Sequence, residues 1–386
     1  MIQRHAQATL LRLAKGFPIL VITGPRQSGK TTLARITFQE HRYISLEDID
    51  EREFALSDPR GFLARFANQG IILDEVQRTP ELLSYLQTVN DLNPEMGRIV
   101  LTGSQQFGLM AAVSQSLAGR AGMIQLLPLA LSELSASNQL TQLDTLLTKG
   151  LYPALYQREL LASDWYASYV ATYIERDVRQ LLQVRDLSQF TRFLKLCAAR
   201  TGQLLNISSL ANDAGISQTA AKQWLSVLEA SYIVFMLQPY HENFGKRLTK
   251  TPKLYFYDTG LAAYLLGIDS AEQMNTHSAR PALFETLIVT ELLKNRWNNG
   301  KANNLYFWRD HVGLEVDVLM TCADGIQPIE IKSGQTIASD WFSAINKWQQ
   351  LANSPRQAML IYGGNESFLR QNVDCNAWNH ITIPTC

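Results

Sequence analysis

Gly24-Pro25-Arg26-Gln27-Ser28-Gly29-Lys30-Thr31 fits the pattern G-x-x-x-x-G-K-[ST]. Glycines let backbone N–H groups turn inward around a nucleotide's phosphates, Lys30 reaches the β- and γ-phosphates, and the Thr31 hydroxyl ligates Mg²⁺. The segment follows the apolar run PILVIT and precedes the helical pattern TTLARITF. A helix N-terminus beginning near Lys30, Thr31 and Thr32 therefore adds its positive dipole end, and Gly24, Pro25, Arg26, Gln27, Ser28, Gly29, Lys30, Thr31 and Thr32 are the expected nucleotide contacts.

GIILDEVQ supplies carboxylates. Ile71, Ile72 and Leu73 read as a buried strand, and Asp74 at its end is placed to hold Mg²⁺ through water. Glu75 beside it suits a base that polarises an attacking water, which favours hydrolysis over transfer to a substrate hydroxyl. RIVLTGS ends a further strand in Thr102 and Ser104, whose hydroxyls are candidates for sensing the γ-phosphate or for ordinary strand-end caps. Arg120 in SLAGRAG is a candidate arginine finger for a neighbouring subunit's nucleotide, a role that requires a homo-oligomer.

These residues need elements to carry them. FPILVITG, RYISLED, GIILDEV, RIVLTGS and MIQLLPL read as five strands, mostly continuous apolar runs as in buried parallel sheets. TPELLSYLQTVND between the third and fourth is a helix, and the whole is a doubly wound α/β pattern. After Leu129 helical periodicity takes over. ISSLANDAGISQTAAKQWLSVLEA then reads helix, turn at Gly215, helix capped by Ser217, followed by two strands, which is a winged-helix pattern. Its second helix buries Ala221, Trp224, Leu225 and Leu228 and presents Gln218, Thr219, Lys222 and Gln223. One lysine on that face is a weak DNA signal, improved by Lys246, Arg247, Lys250 and Lys253 in the wing region. Nucleic-acid binding and protein packing both remain open for this domain. Beyond about Pro281 come a helix, three strands, a helix and a strand.

GPRQSGKTTLA, IILDEVQ, LTGSQQ, LAGRAG with LPLALSEL, YIERDVRQLL, SSLANDAGIS and YFYDTGLAAYL together resemble the prokaryotic AAA-superfamily P-loop ATPases with a C-terminal region of unknown function. The resemblance covers nearly the whole chain. It implies ATP and Mg²⁺ as cofactors, a P-loop NTPase parallel sheet, a helical and winged-helix middle, and a restriction-endonuclease-like α/β end. Within YIERDVRQLL, Glu175, Arg176, Asp177 and Arg179 are charged, and Glu175 with Arg179 is an ordinary i,i+4 surface pair. In the last segment Glu285, Asp317, Glu330 and Lys332 resemble the E…D…E-x-K arrangement of the PD-(D/E)xK nuclease superfamily. Alternation along QPIEIKS puts Glu330 and Lys332 on one face, and a hairpin through CADG brings Asp317 beside Glu330. The carboxylates would bind Mg²⁺, with Glu285 completing the site and Lys332 orienting or deprotonating the attacking water.

Composition sets limits. The 386 residues hold 35 Lys+Arg and 35 Asp+Glu, with 46% hydrophobic residues, which excludes a disordered tail or a general nucleic-acid coat. By segment the formal charge is 14 − 14 = 0 over residues 1–150, 12 − 9 = +3 over 151–260 and 9 − 12 = −3 over 261–386. Four dispersed cysteines without a C-x-x-C pair, no signal-peptide block and no long apolar run point to a cytoplasmic protein away from membranes. The six histidines lack ligand spacing for zinc. The expected organisation is 1–150 AAA-type ATPase, 151–270 helical and winged-helix domain, and 271–386 nuclease-like domain. The expected function is Mg²⁺-dependent ATP hydrolysis coupled to DNA or other nucleic acid. The alternative is an ATP-gated switch that binds a protein partner through non-catalytic domains.

Overall fold

The structure, a computed structural model, describes every residue except 1, 93, 105–115, 175–186, 242–248, 353, 355 and 383–386, with backbone alone at 173 and 174. Lys246, Arg247 and the charged group from Glu175 to Arg179 therefore lie outside the described residues. Contacts divide the chain into two compact units. The first is Met1–Leu129 with Ala230–Tyr232 and Arg296–Ala302, and the second is everything else. The break at Leu129 falls about twenty residues before the expected one, and the middle and final segments share one unit.

In the first unit the order is α1 (Ala6–Ala14), β1 (Ile19–Thr23), α2 (Lys30–Thr37), β2 (Arg42–Ser45), α3 (Ile49–Ser57), α4 (Pro59–Ala64), β3 (Ile71–Asp74), α5 (Leu82–Leu92), β4 (Ile99–Gly103) and β5 (Ala121–Gln125). The strands form one sheet in the order β2-β3-β4-β1-β5, with every pairing parallel. This is the α/β sheet of a P-loop NTPase. Strands β1, β3 and β4 are buried at every position, as continuous apolar runs demand when helices cover both faces. Ile19, Val21, Leu73 and Leu101 pack on one face with Leu82, Leu83 and Leu86 of α5. Leu20, Ile22, Ile72 and Val100 pack on the other with Leu10 of α1 and Leu33 of α2.

The second unit opens with helices α6 (Leu131–Ala136), α7 (Leu143–Lys149), α8 (Ala154–Gln157), α9 (Ala162–Tyr169) and α10 (Leu187–Ala198). Next come β6 (Gln203–Leu204), α11 (Ile207–Ala214), α12 (Gln218–Ala230), β7 (Val234–Leu237) and β8 (Lys253–Phe256), the strands pairing antiparallel in the order β6-β8-β7. Ala221, Trp224, Leu225 and Leu228 of α12 are buried, while Gln218, Thr219, Lys222 and Gln223 are exposed, as the periodicity requires. Helices α13 (Thr259–Leu265), α14 (Ala271–Thr276) and α15 (Arg280–Asn298) lead to β9 (Leu305–Arg309), β10 (Glu315–Cys322), β11 (Gly325–Lys332), α16 (Ser343–Ala352), β12 (Ala358–Tyr362), β13 (Phe368–Arg370) and β14 (Val373–Ala377). These strands make a mixed sheet in the order β13-β14-β12-β11-β10-β9. Its β10–β11 hairpin pairs Val318 with Ile329, and β11 runs parallel to β12. Strands β13 and β14 were not legible in the sequence because they are only three and five residues long. Cys197 and Cys375 are free thiols. Among the described residues no helix is long and apolar enough to cross a membrane.

The D-T-G of YFYDTGLAAYL is structural. Buried Asp258 caps α13 through Leu261 N–H at 2.9 Å, accepts Tyr166 OH at 2.5 Å and accepts Leu151 N–H at 2.8 Å. Gly260 must lack a side chain, because a Cβ there would lie 2.3 Å from the Tyr166 hydroxyl and 2.7 Å from the Gly150 nitrogen. Removing the Asp258 carboxylate strands three donors in a dry interior. Asp258→Ala is expected to cost about 2–4 kcal/mol of stability, read as a lower urea midpoint, with ATP binding by the remaining folded protein unchanged.

Candidate functional sites

The phosphate-binding loop leaves β1 at Gly24, where φ is 147° and a Cβ would sit 2.2 Å from the Leu126 carbonyl oxygen, so only glycine fits. Gln27 and Gly29 also have positive φ, at 60° and 94°, turning the loop into the first residue of α2. Lys30 is buried and donates to the carbonyls of Gly24 at 3.1 Å and Pro25 at 2.7 Å. Ser28 Oγ is buried without a hydrogen-bond partner, and Thr32 is exposed at the start of α2. Arg4 braces the loop from outside, its guanidinium donating to the carbonyls of Ser28 at 2.7 Å and Leu127 at 2.6 Å. Arg4 precedes α1, so it reaches these carbonyls from outside the helix.

Because β4 lies between β1 and β3, its C-terminal end delivers hydroxyls to the carboxylates that follow β3. Asp74 accepts Thr31 Oγ1 at 3.0 Å, Tyr43 OH at 2.9 Å and Thr102 Oγ1. Thr31 and Asp74 thus already face each other with oxygen donors, the chemistry Mg²⁺ requires. Thr102 is fully buried and its hydroxyl donates to Asp74, so it supports this carboxylate. Glu75 adopts a left-handed backbone, φ 57°, and its carboxylate accepts Gln77 Nε2 and, at 3.3 Å, Ser104 Oγ. Ser104 is therefore joined to Glu75. Tyr43 and Gln77 were missed, Tyr43 because nothing local distinguishes it from a strand aromatic.

Arg120 is on the surface and engaged within its own chain, making a bidentate pair with Asp91 at 2.6 and 2.9 Å. A finger acting on another subunit must first release Asp91.

In the second unit, Asp317 on β10 and Glu330 and Lys332 on β11 meet as the hairpin predicts. Lys332 Nζ lies 2.5 Å from Glu330 Oε1 and 3.7 Å from Asp317 Oδ2, and Asp317 also accepts Ile331 N–H at 2.8 Å. Glu330 Oε2 is buried with no hydrogen-bond partner. Burial pushes Glu330 up to about 8, the charge of Asp317 adds to this, and Lys332 opposes it. Lys332 is itself raised, because Asp317 and Glu330 outweigh the burial that would lower it.

Glu285 on α15 shares the neighbourhood but is taken. Lys253 Nζ lies 2.9 Å and Tyr255 OH 2.5 Å from its Oε1. Burial raises Glu285 although Lys253 pulls it down. Among the described residues no three His, Cys, Asp or Glu side chains are placed together to hold a metal ion, which corrects the expected set of Glu285, Asp317 and Glu330. Lys253 is also corrected. It is buried among acids rather than displayed on a wing, whereas Lys250 is exposed.

Burial lowers Lys30 to about 8, against the opposing pull of Glu75 and Asp74. Phosphate placed beside the ammonium favours its charged form, so binding raises this pKa. Below about pH 8 Lys30 is charged in both states and affinity is level; above it the free protein must take up a proton to bind. ATP affinity measured by calorimetry is expected to be flat from about pH 6.5 to 7.5 and to weaken as pH rises from about 8 to 9.5. A level profile across that range would overturn this coupling between Lys30 protonation and ATP binding.

An AAA domain family model matches residues 16–135, a domain of unknown function (DUF8612) matches 140–272, and a domain of unknown function (DUF4143) matches 280–384. The chain is similar to Uncharacterized protein Rv2008c of Mycobacterium tuberculosis and Uncharacterized protein Mb2031c of Mycobacterium bovis. Each is 32% identical over 341 residues, which is 86% of this chain and 74% of theirs. Among solved structures, the Walker-type ATPase PABY2304 of Pyrococcus abyssi is 16% identical with a TM-score of 0.45, covering 69% of this chain and 96% of that one.

Proposed function

The chain belongs to the family of these mycobacterial proteins, with an AAA-type P-loop ATPase domain at its N-terminal end, and from that premise we propose that it is a Mg²⁺-dependent ATPase whose turnover is coupled to nucleic acid through the second unit. The observation that carries the ATPase reading is the convergence of Lys30, Thr31, Asp74 and Glu75 at the C-terminal ends of β1 and β3. Lys30 exchanges the loop carbonyls for the β- and γ-phosphates. Thr31 and Asp74 would hold Mg²⁺, which would supply neutralisation of charge developing on the phosphates. Glu75 leaves Gln77 and Ser104 to accept a proton from the attacking water, and Arg120, released from Asp91, stabilises the transferring phosphoryl group of an adjacent protomer in a homo-oligomer.

The order helix, strand, helix, turn, helix, hairpin from α10 to β8 supports a winged helix, and the order of α15, β9, β10, β11, α16 and β12 supports a PD-(D/E)xK nuclease-like fold. The donor set fits a divalent cation on Asp317 and Glu330, since Glu330 Oε2 is buried and unpartnered. Lys332 would orient the water. The occupation of Glu285 by Lys253 favours a second reading, a nucleotide-gated switch whose second unit binds a protein partner without cleaving anything. The protein is read as cytoplasmic in both cases.

DNA separates the readings. Stimulation of ATP hydrolysis by DNA, with Mn²⁺-dependent plasmid nicking that Lys332→Ala abolishes, is expected on the first; no stimulation and no nicking at any nucleotide state would overturn it in favour of the switch. Arg120→Ala is expected to lower turnover by roughly 10³-fold while ATP still binds. Asp91→Ala frees the guanidinium and should leave turnover at or above that of the unmodified protein. Unchanged turnover in Arg120→Ala would remove the finger.

A further inference from the structure

The acidic cluster of the second unit contains a cation that the nuclease-like reading does not use. Lys253, the first residue of β8, has its side chain only 4% exposed, with Nζ 2.9 Å from Glu285 Oε1 and 2.5 Å from Glu315 Oε1. It lies 5.6 Å from the Phe307 ring centroid, so one side of the ammonium faces a hydrocarbon wall rather than water. Tyr255, two residues along the same strand, donates to the same Glu285 oxygen at 2.5 Å, and Arg309 closes the far side of Glu315 at 2.8 Å. Glu285 Oε1 is therefore already engaged by Lys253 and Tyr255.

Formal charge sharpens this. Four carboxylates, Glu285, Glu315, Asp317 and Glu330, face three cations, Lys253, Arg309 and Lys332. Lys253 and Arg309 neutralise the Glu285–Glu315 half. The Asp317–Glu330 half has only Lys332, and there Glu330 Oε2 is buried without a partner. A hard cation with oxygen ligands suits that second half. On the first half a cation would have to displace an ammonium that is boxed in by acids and an aromatic ring, leaving a buried lysine without its counter-charge.

We propose that Lys253 stands where a second divalent cation would otherwise bind, so that this site takes a single Mg²⁺ or Mn²⁺, on Asp317 and Glu330, with Glu285 acting as the positioning residue that holds Lys253. This rests on the metal-site reading of the second unit. It assigns the segment before α13 a part in the C-terminal site, because Lys253 reaches the cluster from β8 and not from the hairpin that carries the other ligands.

The test is the number of Mn²⁺ ions bound by the full-length, nucleotide-free protein, counted by electron paramagnetic resonance. The unmodified protein is expected to bind one more ion than Asp317→Asn. Lys253→Met is expected to bind one more than the unmodified protein, and that gain should vanish in Lys253→Met/Glu285→Gln. If Lys253→Met binds the same number with the same affinity, Lys253 is not a placeholder. If the unmodified protein matches Asp317→Asn, the metal-site reading itself falls, which is a separate failure. Should Lys253→Met fold poorly, Mn²⁺ is expected to raise its melting temperature more than that of the unmodified protein; a melting temperature that Mn²⁺ does not move would overturn the proposal.

Discussion

The first unit depends on one buried carboxylate. Asp74 ends strand β3 with little exposure and takes hydroxyls from Thr31 on α2, Tyr43 on β2 and Thr102 on β4. An ionised carboxylate can be kept in a dry place only when its lone pairs are met, and here three different elements meet them. The arrangement fixes the phosphate-binding loop relative to the end of β3 before any nucleotide arrives. It also presets Thr31 opposite Asp74. The neighbouring Glu75 is held by a separate pair, Gln77 and Ser104, so the residue suited to holding a metal and the residue suited to activating water are positioned independently.

The second unit handles buried charge by the same rule with a different solution. Asp258 is satisfied by neutral donors and serves to join Leu151, Tyr166 and the start of α13. The cluster around Glu285, Glu315, Asp317 and Glu330 is instead satisfied by cations, and only Glu330 keeps a buried oxygen without a partner. Burial raises Glu330 and Glu285, with the charge of Asp317 adding to it, while the same acids hold Lys253 and Lys332 charged against the burial that would lower them. One cluster is thus a scaffold and the other retains room for chemistry.

Much of this was legible from local pattern. The loop from Gly24 to Thr31, the carboxylates Asp74 and Glu75, the buried face of α12 and the Asp317–Glu330–Lys332 hairpin all follow from spacing within single elements or between adjacent ones. The strands β13 and β14 and the role of the Tyr43 hydroxyl were not legible. Those depend on which distant segments meet, and a strand tyrosine or a short strand looks the same in sequence whether or not a partner awaits it.

The sequence by itself determined which residue types stand at the phosphate-binding loop and on the β10–β11 hairpin, because those sites are built from consecutive residues whose side-chain directions the backbone period dictates. Only the tertiary structure decided which of them are already engaged. It paired Arg120 with Asp91, joined Thr102 to Asp74, and moved Lys253 from an apparent basic wing into contact with Glu285 and Glu315. A charge has no preference for neighbours in sequence. Its partner is whichever opposite charge the packed elements bring within a few ångströms in a poorly screened interior, and that is settled by the fold.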